Sequence, residues 1–234
     1  MEASAEGRQQ QVAARLRRRW RCAALRALPV LILLAAPLVA QPRERGTFRP
    51  SRLVELVTLD STIRLDIRYA TANNFLGRPV YAEPRAFLQR PAAAALLRVH
   101  RSVRSRGFGL VVFDGYRPWS VTREFWDRTP PAQRKYVANP RKGSKHNRGC
   151  AVDLSLYVLA TGEEVRMPSP YDDFTERAAA AYPGGDGRAR EFRDLLRKSM
   201  EAEGFRVNPD EWWHFDYRDW KAYRILDIPF SAIR

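Results

Sequence analysis

The chain has 234 residues, 45% of them hydrophobic, which suffices for one globular domain with a real core and excludes a disordered chain. Its formal charge is +15, but the basic residues are dispersed arginines with no long basic run and no nucleic-acid motif, so no nucleic-acid partner is expected. Residues 1–40 hold seven Arg against Glu2 and Glu6, a net of +5, which leaves +10 on the remainder as a basic surface suited to anionic surroundings.

Residues 1–14 are polar. A basic cluster follows at residues 15–21, where Arg17, Arg18 and Arg19 also permit a twin-arginine reading. Residues 23–40 are apolar, broken by Arg26, Pro29 and Pro37. The core of this stretch, residues 27–36, has the length of a signal-peptide apolar region and is too short for a membrane span. Leu38-Val39-Ala40 before Gln41 offers a cleavage site. The expectation is a cleaved signal over residues 1–40, an exported, periplasmic or extracytoplasmic protein, and no stable membrane span afterwards. A cytoplasmic location follows if the segment is not a working signal. Cleavage removes Cys22 and leaves Cys150 without a disulfide partner.

Residues 41–52 read as a linker and residues 53–234 as a single domain. Alternating runs around Val54-Leu56-Val57 and Ile63-Leu65-Ile67 predict strands. A helix is expected from Pro91 to before Gly107, with Leu96, Val99 and Val103 on its apolar face; His100 on it reads as a surface or helix-end histidine. Residues 109–113 read as a buried strand ending at Asp114-Gly115-Tyr116-Arg117-Pro118, and Arg117 is well placed to enter a cleft before a helix near Trp119. Residues 129–142 form a polar loop. Val152 to Tyr157 alternate as a strand does, with Asp153, Ser155 and Tyr157 on one face. Residues 167–174 are irregular and 178–187 read as a mobile loop. A second helix spans residues 188–203, with Phe192, Leu195, Leu196 and Met200 as its stripe and Gly204 as its stop. Residues 211–217 read as a strand.

The chemistry concentrates in residues 143–154 and 211–214. The chain has only three histidines, His100, His146 and His214. His146 and Asp153, seven residues apart, are ordinary zinc ligands, and His214 supplies a third. Three protein ligands leave one position open, the pattern of a catalytic rather than a structural zinc. Glu211, three residues before His214, is the usual proton acceptor and donor at such a site. A two-histidine, one-carboxylate set can also hold iron. The bland reading has His146 capping a loop, Asp153 paired with an arginine and His214 packed among tryptophans. A cysteine-protease reading, Cys150 with His214, lacks a local signature, and Cys150 continues the strand on the side away from Asp153.

Ser144-x-His146-x-x-Gly149-x-Ala151-x-Asp153 with Glu211-x-Trp213-His214 resembles the zinc peptidases that process D-Ala-D-Ala, and within them the D-alanyl-D-alanine dipeptidases. Tyr69-Ala70-Thr71-x-x-Asn74-Phe75-x-Gly77-x-Pro79 and Asp114-Gly115-Tyr116-Arg117-Pro118 extend the resemblance over roughly residues 53–230. It implies an α+β fold, a central, mainly antiparallel sheet flanked by helices with the zinc site in a cleft. It implies one Zn2+ per chain on His146, Asp153 and His214, with Glu211 as base then acid and Arg117 stabilising the oxyanion. It implies that Ser144, Asp172 and Tyr69 line the pocket for a small D,D-dipeptide, with Asp172 pairing with its free ammonium. Two alternatives share the motifs: a D,D-carboxypeptidase or murein endopeptidase of the same fold, and a non-enzymatic zinc module that binds cell-wall peptides. Cys150 departs from the small hydroxyl residue common at that position in relatives.

Overall fold

The computed structural model describes residues 40–234, so the signal reading falls almost wholly outside the described residues. The strands are β1 (Leu53–Glu55), β2 (Arg64–Leu65), β3 (Phe87–Gln89), β4 (Phe108–Asp114), β5 (Ala151–Val158), β6 (Phe205–Asn208) and β7 (Glu211–Tyr217). The helices are α1 (Leu56–Leu59), α2 (Arg90–Arg104), α3 (Trp119–Arg128) and α4 (Gly187–Ala202), with short 3-10 turns between them. A five-stranded sheet runs in the order β2-β4-β5-β7-β6; β2 is parallel to β4 and the other pairs are antiparallel. β1 and β3 form a separate antiparallel ribbon. This is the α+β class expected. Among the described residues no helix is long and apolar enough to cross a membrane.

The long elements form where the pattern is strongest. Leu110 and Val112 of β4, Leu154 and Leu156 of β5, Leu96 and Val99 of α2, and Leu196 and Met200 of α4 are fully buried. Each such side chain contributes about 1.5–3 kcal/mol relative to exposure. α2 and α4 pack on one another and on the sheet. Pro91 sits in the first turn of α2, where its missing N–H costs nothing. Asp186 caps α4 by accepting from the Arg188 N–H.

Register places the chemistry. Asp153 stands directly opposite His214 across β5 and β7. On the other side, β4 and β5 pair regularly up to Val112 opposite Leu154 and then shift, so that Asp114 stands opposite Asp153. Phe113 is the extra residue of this bulge, a device that re-aims side chains. Without it, Asp114 would oppose Val152. Asp114, Asp153 and His214 therefore form a row across three adjacent strands.

Several expectations are corrected. β1 ends at Glu55, and Leu56 starts a single helical turn, because β3 offers β1 only three paired residues. Ile63 and Ile67 are buried, but between them only Arg64–Leu65 pair with β4. β6 was not foreseen. His100 is not at the surface: it is fully buried, its Nδ1 accepts from the Leu110 N–H at 3.3 Å, and its Nε2 lies 2.9 Å from Thr62 Oγ1. Residues 41–52, expected as a linker, make contacts with the domain: Gln41 Nε2 donates to the Ile225 carbonyl, the Arg49 N–H donates to that of Ala222, and Glu44 pairs with Arg148. The loop at 178–187 is pinned at its start by buried Ala178 and Ala180.

Candidate active site

His146 lies in a 3-10 turn, His146–Arg148, just before β5. Ser144 and Asn147 shape it: Ser144 Oγ accepts from the His146 N–H at 3.2 Å, and Asn147 Oδ1 accepts from the Ser144 N–H at 2.7 Å. Gly149 ends the turn at φ 66°, and an added Cβ there would meet Leu53 Cδ2 at 2.5 Å. Asn147 is fully buried and also donates to the Arg117 carbonyl and Thr122 Oγ1, which ties the turn to the start of α3.

The two histidine rings have fixed tautomers. His146 Nδ1 lies 2.7 Å from the Gly115 carbonyl, which only accepts, so Nδ1 carries the proton and Nε2 a lone pair. Gly115 itself is packed against β3, where an added Cβ would meet the Phe87 carbonyl at 2.7 Å. His214 Nε2 donates to Asp216 Oδ1 at 2.9 Å, which leaves the lone pair on Nδ1. His146 Nε2 and His214 Nδ1 are 3.1 Å apart, and Asp153 Oδ1 is 3.3 Å from the first and 3.0 Å from the second. All three residues are buried. Asp153 Oδ1 accepts no hydrogen bond.

Three electron-pair donors thus converge in a buried place. Donors held at 2.0–2.1 Å around a tetrahedral zinc stand about 3.3 Å apart, so the spacing fits that ion. The electrostatics agree. Burial alone would raise the Asp153 carboxyl, yet His146 and His214 hold it well below the usual carboxylate range. Burial opposes charge on His214, yet the carboxylates of Asp153 and Asp216 push it up to about 10. The place favours a positive charge, and a proton competes there with a metal ion.

A cavity of about 400 Å³ opens over this cluster and is lined by all eight residues singled out from the sequence: Tyr69, Arg117, Ser144, His146, Asp153, Asp172, Glu211 and His214. Glu211 Oε2 is 3.7 Å from His214 Nδ1 and accepts from Asn208 Nδ2 at 2.7 Å. Burial, with Asp153 nearby, raises its carboxyl above the usual value, which suits proton transfer near neutral pH. Arg117 donates from Nε and Nη2 to Asp114 Oδ2 at 2.9 and 2.7 Å, and Nη2 lies 3.8 Å from Asp153 Oδ2. Burial works against its charge, but Asp114 outweighs that and holds the guanidinium protonated. Asp172 has φ 58°, alone among the described non-glycine residues in being left-handed. Its carboxylate accepts from Tyr69 Oη at 3.1–3.2 Å, and burial beside Asp153 raises it well above its usual value.

Four supporting side chains escaped sequence reading. Asp114 holds Arg117, Asp216 holds His214, Asn208 holds Glu211, and Tyr171 Oη donates to Asp153 Oδ2 at 3.1 Å. The signal for the first two was present as an aspartate three residues before Arg117 and one two residues after His214, on the same strand face. Cys150 takes no part: it is fully buried, lies outside the ligand cluster, and burial pushes its thiol up to about 12.

A family model described as D-ala-D-ala dipeptidase matches residues 49–231. The chain is 32% identical over 182 residues to the D-alanyl-D-alanine dipeptidase of Escherichia coli (strain K12), across 78% of this chain and 93% of that one. It is 37% identical over 178 residues to the D-alanyl-D-alanine dipeptidase of Enterococcus faecium, across 67% of this chain and 87% of that one. Among solved structures it is similar to the vancomycin resistance D,D-dipeptidase VanXYg in complex with a D-Ala-D-Ala phosphinate analog, at 20% identity over 74% of this chain and 68% of that chain, with a TM-score of 0.40.

Proposed function

The chain belongs to the D-alanyl-D-alanine dipeptidase family of metallopeptidases and hydrolyses D-Ala-D-Ala to two D-alanines, and we propose how its residues divide that work. His146, Asp153 and His214 hold one zinc ion. The observation that carries this is the convergence of His146 Nε2, His214 Nδ1 and the unpartnered Asp153 Oδ1 within 3.0–3.3 Å. A bound zinc ion supplies Lewis-acid polarisation of the scissile carbonyl and a more acidic water.

Glu211 takes a proton from the attacking water as its oxygen adds to the carbonyl carbon. It then delivers that proton to the departing amine nitrogen as the C–N bond breaks. Arg117 receives the oxyanion that develops on the carbonyl oxygen; Asp114 engages its Nε and Nη2, which leaves Nη1 for the substrate. Asp172, supported by Tyr69, pairs with the free ammonium of the dipeptide. A longer or N-acylated peptide brings no ammonium there and leaves a buried carboxylate without its cation, which costs binding. Ser144 holds the His146 turn and lines the same cavity.

The test is release of D-alanine from free D-Ala-D-Ala by the purified protein, before and after chelation and again with Zn2+ restored. Chelator-sensitive release rescued by zinc is expected. A zinc-loaded protein that leaves the free dipeptide intact but cleaves N-acylated D-Ala-D-Ala overturns the Asp172 assignment. The reading of residues 1–40 as an export signal extends the proposal to dipeptide outside the cytoplasmic membrane. Full-length protein retained in the cytoplasm would remove that extension.

A further inference from the structure

The hydrogen bond that orients His214 continues beyond Asp216. Asp216 Oδ1 accepts from His214 Nε2 at 2.9 Å, and its other oxygen, Oδ2, lies 3.2 Å from Lys145 Nζ. Asp216 follows His214 by two residues on β7, so both side chains leave the same face of the strand. Lys145 immediately precedes His146, and its ammonium also lies 5.6 Å from the Trp220 ring. The Asp216 side chain is 17% exposed, so its contacts are sheltered from water, whereas Lys145 is 40% exposed and reaches in from the rim. The contacts run from one histidine's strand to the loop that carries the other.

We propose that Asp216 is a positioning residue for the metal, and that Lys145 in turn positions Asp216. This rests on the zinc-site reading above. A neutral imidazole can carry its proton on either nitrogen, and only one choice presents Nδ1 as a donor. Asp216 accepts from Nε2–H, which selects that choice and fixes the ring plane. Lys145 occupies the second carboxylate oxygen, which stops Asp216 from turning away. The two imidazoles are supported differently: His146 donates to the Gly115 carbonyl, with the Asp114 carboxylate 3.8 Å away, whereas His214 donates directly to a carboxylate at 2.9 Å. A charged acceptor makes the stronger hydrogen bond and a more basic ligand. His214 is therefore the firmer of the two histidine donors, and its firmness depends on a lysine from the His146 loop.

The experiment compares the full chain with its Asp216→Ala, Asp216→Asn and Lys145→Met variants. Zinc affinity is measured by competition with a chromogenic chelator, and the thermal midpoint of each metal-free protein is measured alongside. Loss of such an outer hydrogen bond lowers metal affinity by about 10- to 100-fold, and that is expected for Asp216→Ala. Asp216→Asn should recover part of the loss, since its amide oxygen can still accept from Nε2–H. Lys145→Met should weaken zinc by a smaller factor, with an unchanged metal-free midpoint. In the zinc-loaded wild type, nitrogen-15 imidazole spectra should show His214 protonated on Nε2. Variants that bind zinc as tightly as the wild type overturn the proposal, as does a His214 proton on Nδ1. If Asp216→Ala does not fold, Asp216→Asn and Lys145→Met decide alone. A wild type that fails to hold zinc overturns the site assignment as well; a wild type that holds it no better than its variants overturns this inference only.

Discussion

Glu211 has its second-strand neighbour Asn208 as a donor and a raised carboxyl, so replacing it separates proton transfer from metal binding. Glu211→Gln is expected to lose about 100- to 10,000-fold in kcat, the usual worth of a positioned base, while zinc content stays at that of the wild type. Substantial turnover in that variant would remove Glu211 from its role. Asp172 needs a more careful substitution. Its left-handed backbone is strained for most side chains, but asparagine adopts it readily, so Asp172→Asn changes the charge without the backbone cost. The KM for free D-Ala-D-Ala should rise by about 10- to 100-fold, the worth of a charged hydrogen bond. Hydrolysis of the N-acylated dipeptide should change far less, and an unaltered ratio between the two substrates would contradict the ammonium assignment. Cys150 gives the opposite kind of expectation. A fully buried thiol pushed up to about 12 presents almost no thiolate at neutral pH, so iodoacetamide should leave the native enzyme active and label it only when unfolded.

At the scale of elements, α2 meets the sheet through a polar contact as well as through its apolar face. His100, itself fully buried, accepts from the Leu110 N–H of β4 and reaches the exposed Thr62 beside β2. Burial holds its imidazole below the ordinary value, with Arg104 adding to that and Asp60 opposing it. The unfolded chain takes up a proton there near pH 6.5, and the folded chain resists it. Stability from this group is therefore complete above about pH 6.5 and falls as pH drops toward the folded value. Urea midpoints measured from pH 7.5 down to 5.5 should decline in the wild type. His100→Gln should start lower, by about 1–3 kcal/mol for its disturbed hydrogen bonds, and decline less. Equal slopes would mean that other groups carry the dependence. His100 also marks where pattern reading fails. A histidine on a helix looks solvent-facing until the strand it caps is known. β5, α2 and α4 were legible because each is long enough to show a period, β4 because it is a continuous apolar run, and β7 because it is rich in aromatic residues. β1 and β2 were expected as strands but are shorter than their runs, and β3 and β6 were not foreseen, because strands of two to four residues exist through their pairing partners and no local pattern encodes a partner.

At the scale of the whole molecule, the candidate ligand cluster was legible because histidine is scarce and residue type alone carries the chemistry. The surrounding groups were not, because Asp114 comes to stand opposite Asp153 only through the bulge at Phe113. The contacts of the segment before β1 were not legible for the same reason, since its partners are far away in sequence. Glu44 accepts from Arg148 Nη2 at 2.5 Å and, through its other oxygen, from the Ile225 N–H at 2.7 Å. Arg148 also donates to the Tyr223 carbonyl and belongs to the 3-10 turn that His146 begins. The strap thus joins the C-terminal segment to the metal loop. Removing residues 1–40 should leave the thermal midpoint and zinc affinity of the domain unaltered, since Gln41 and Glu44 remain. Removing residues 1–48 strands Arg148, whose side chain is 10% exposed, without its carboxylate. Breaking a buried pair on one side costs about 3–5 kcal/mol, an upper bound here because the Tyr223 carbonyl remains. The shorter form should melt lower and bind zinc more weakly, because the turn carrying His146 has lost an anchor. Glu44→Gln in the longer form should reproduce part of both effects, as its amide oxygen still accepts. If the two truncations melt alike and bind zinc alike, residues 41–48 are a linker after all, and the domain begins at β1.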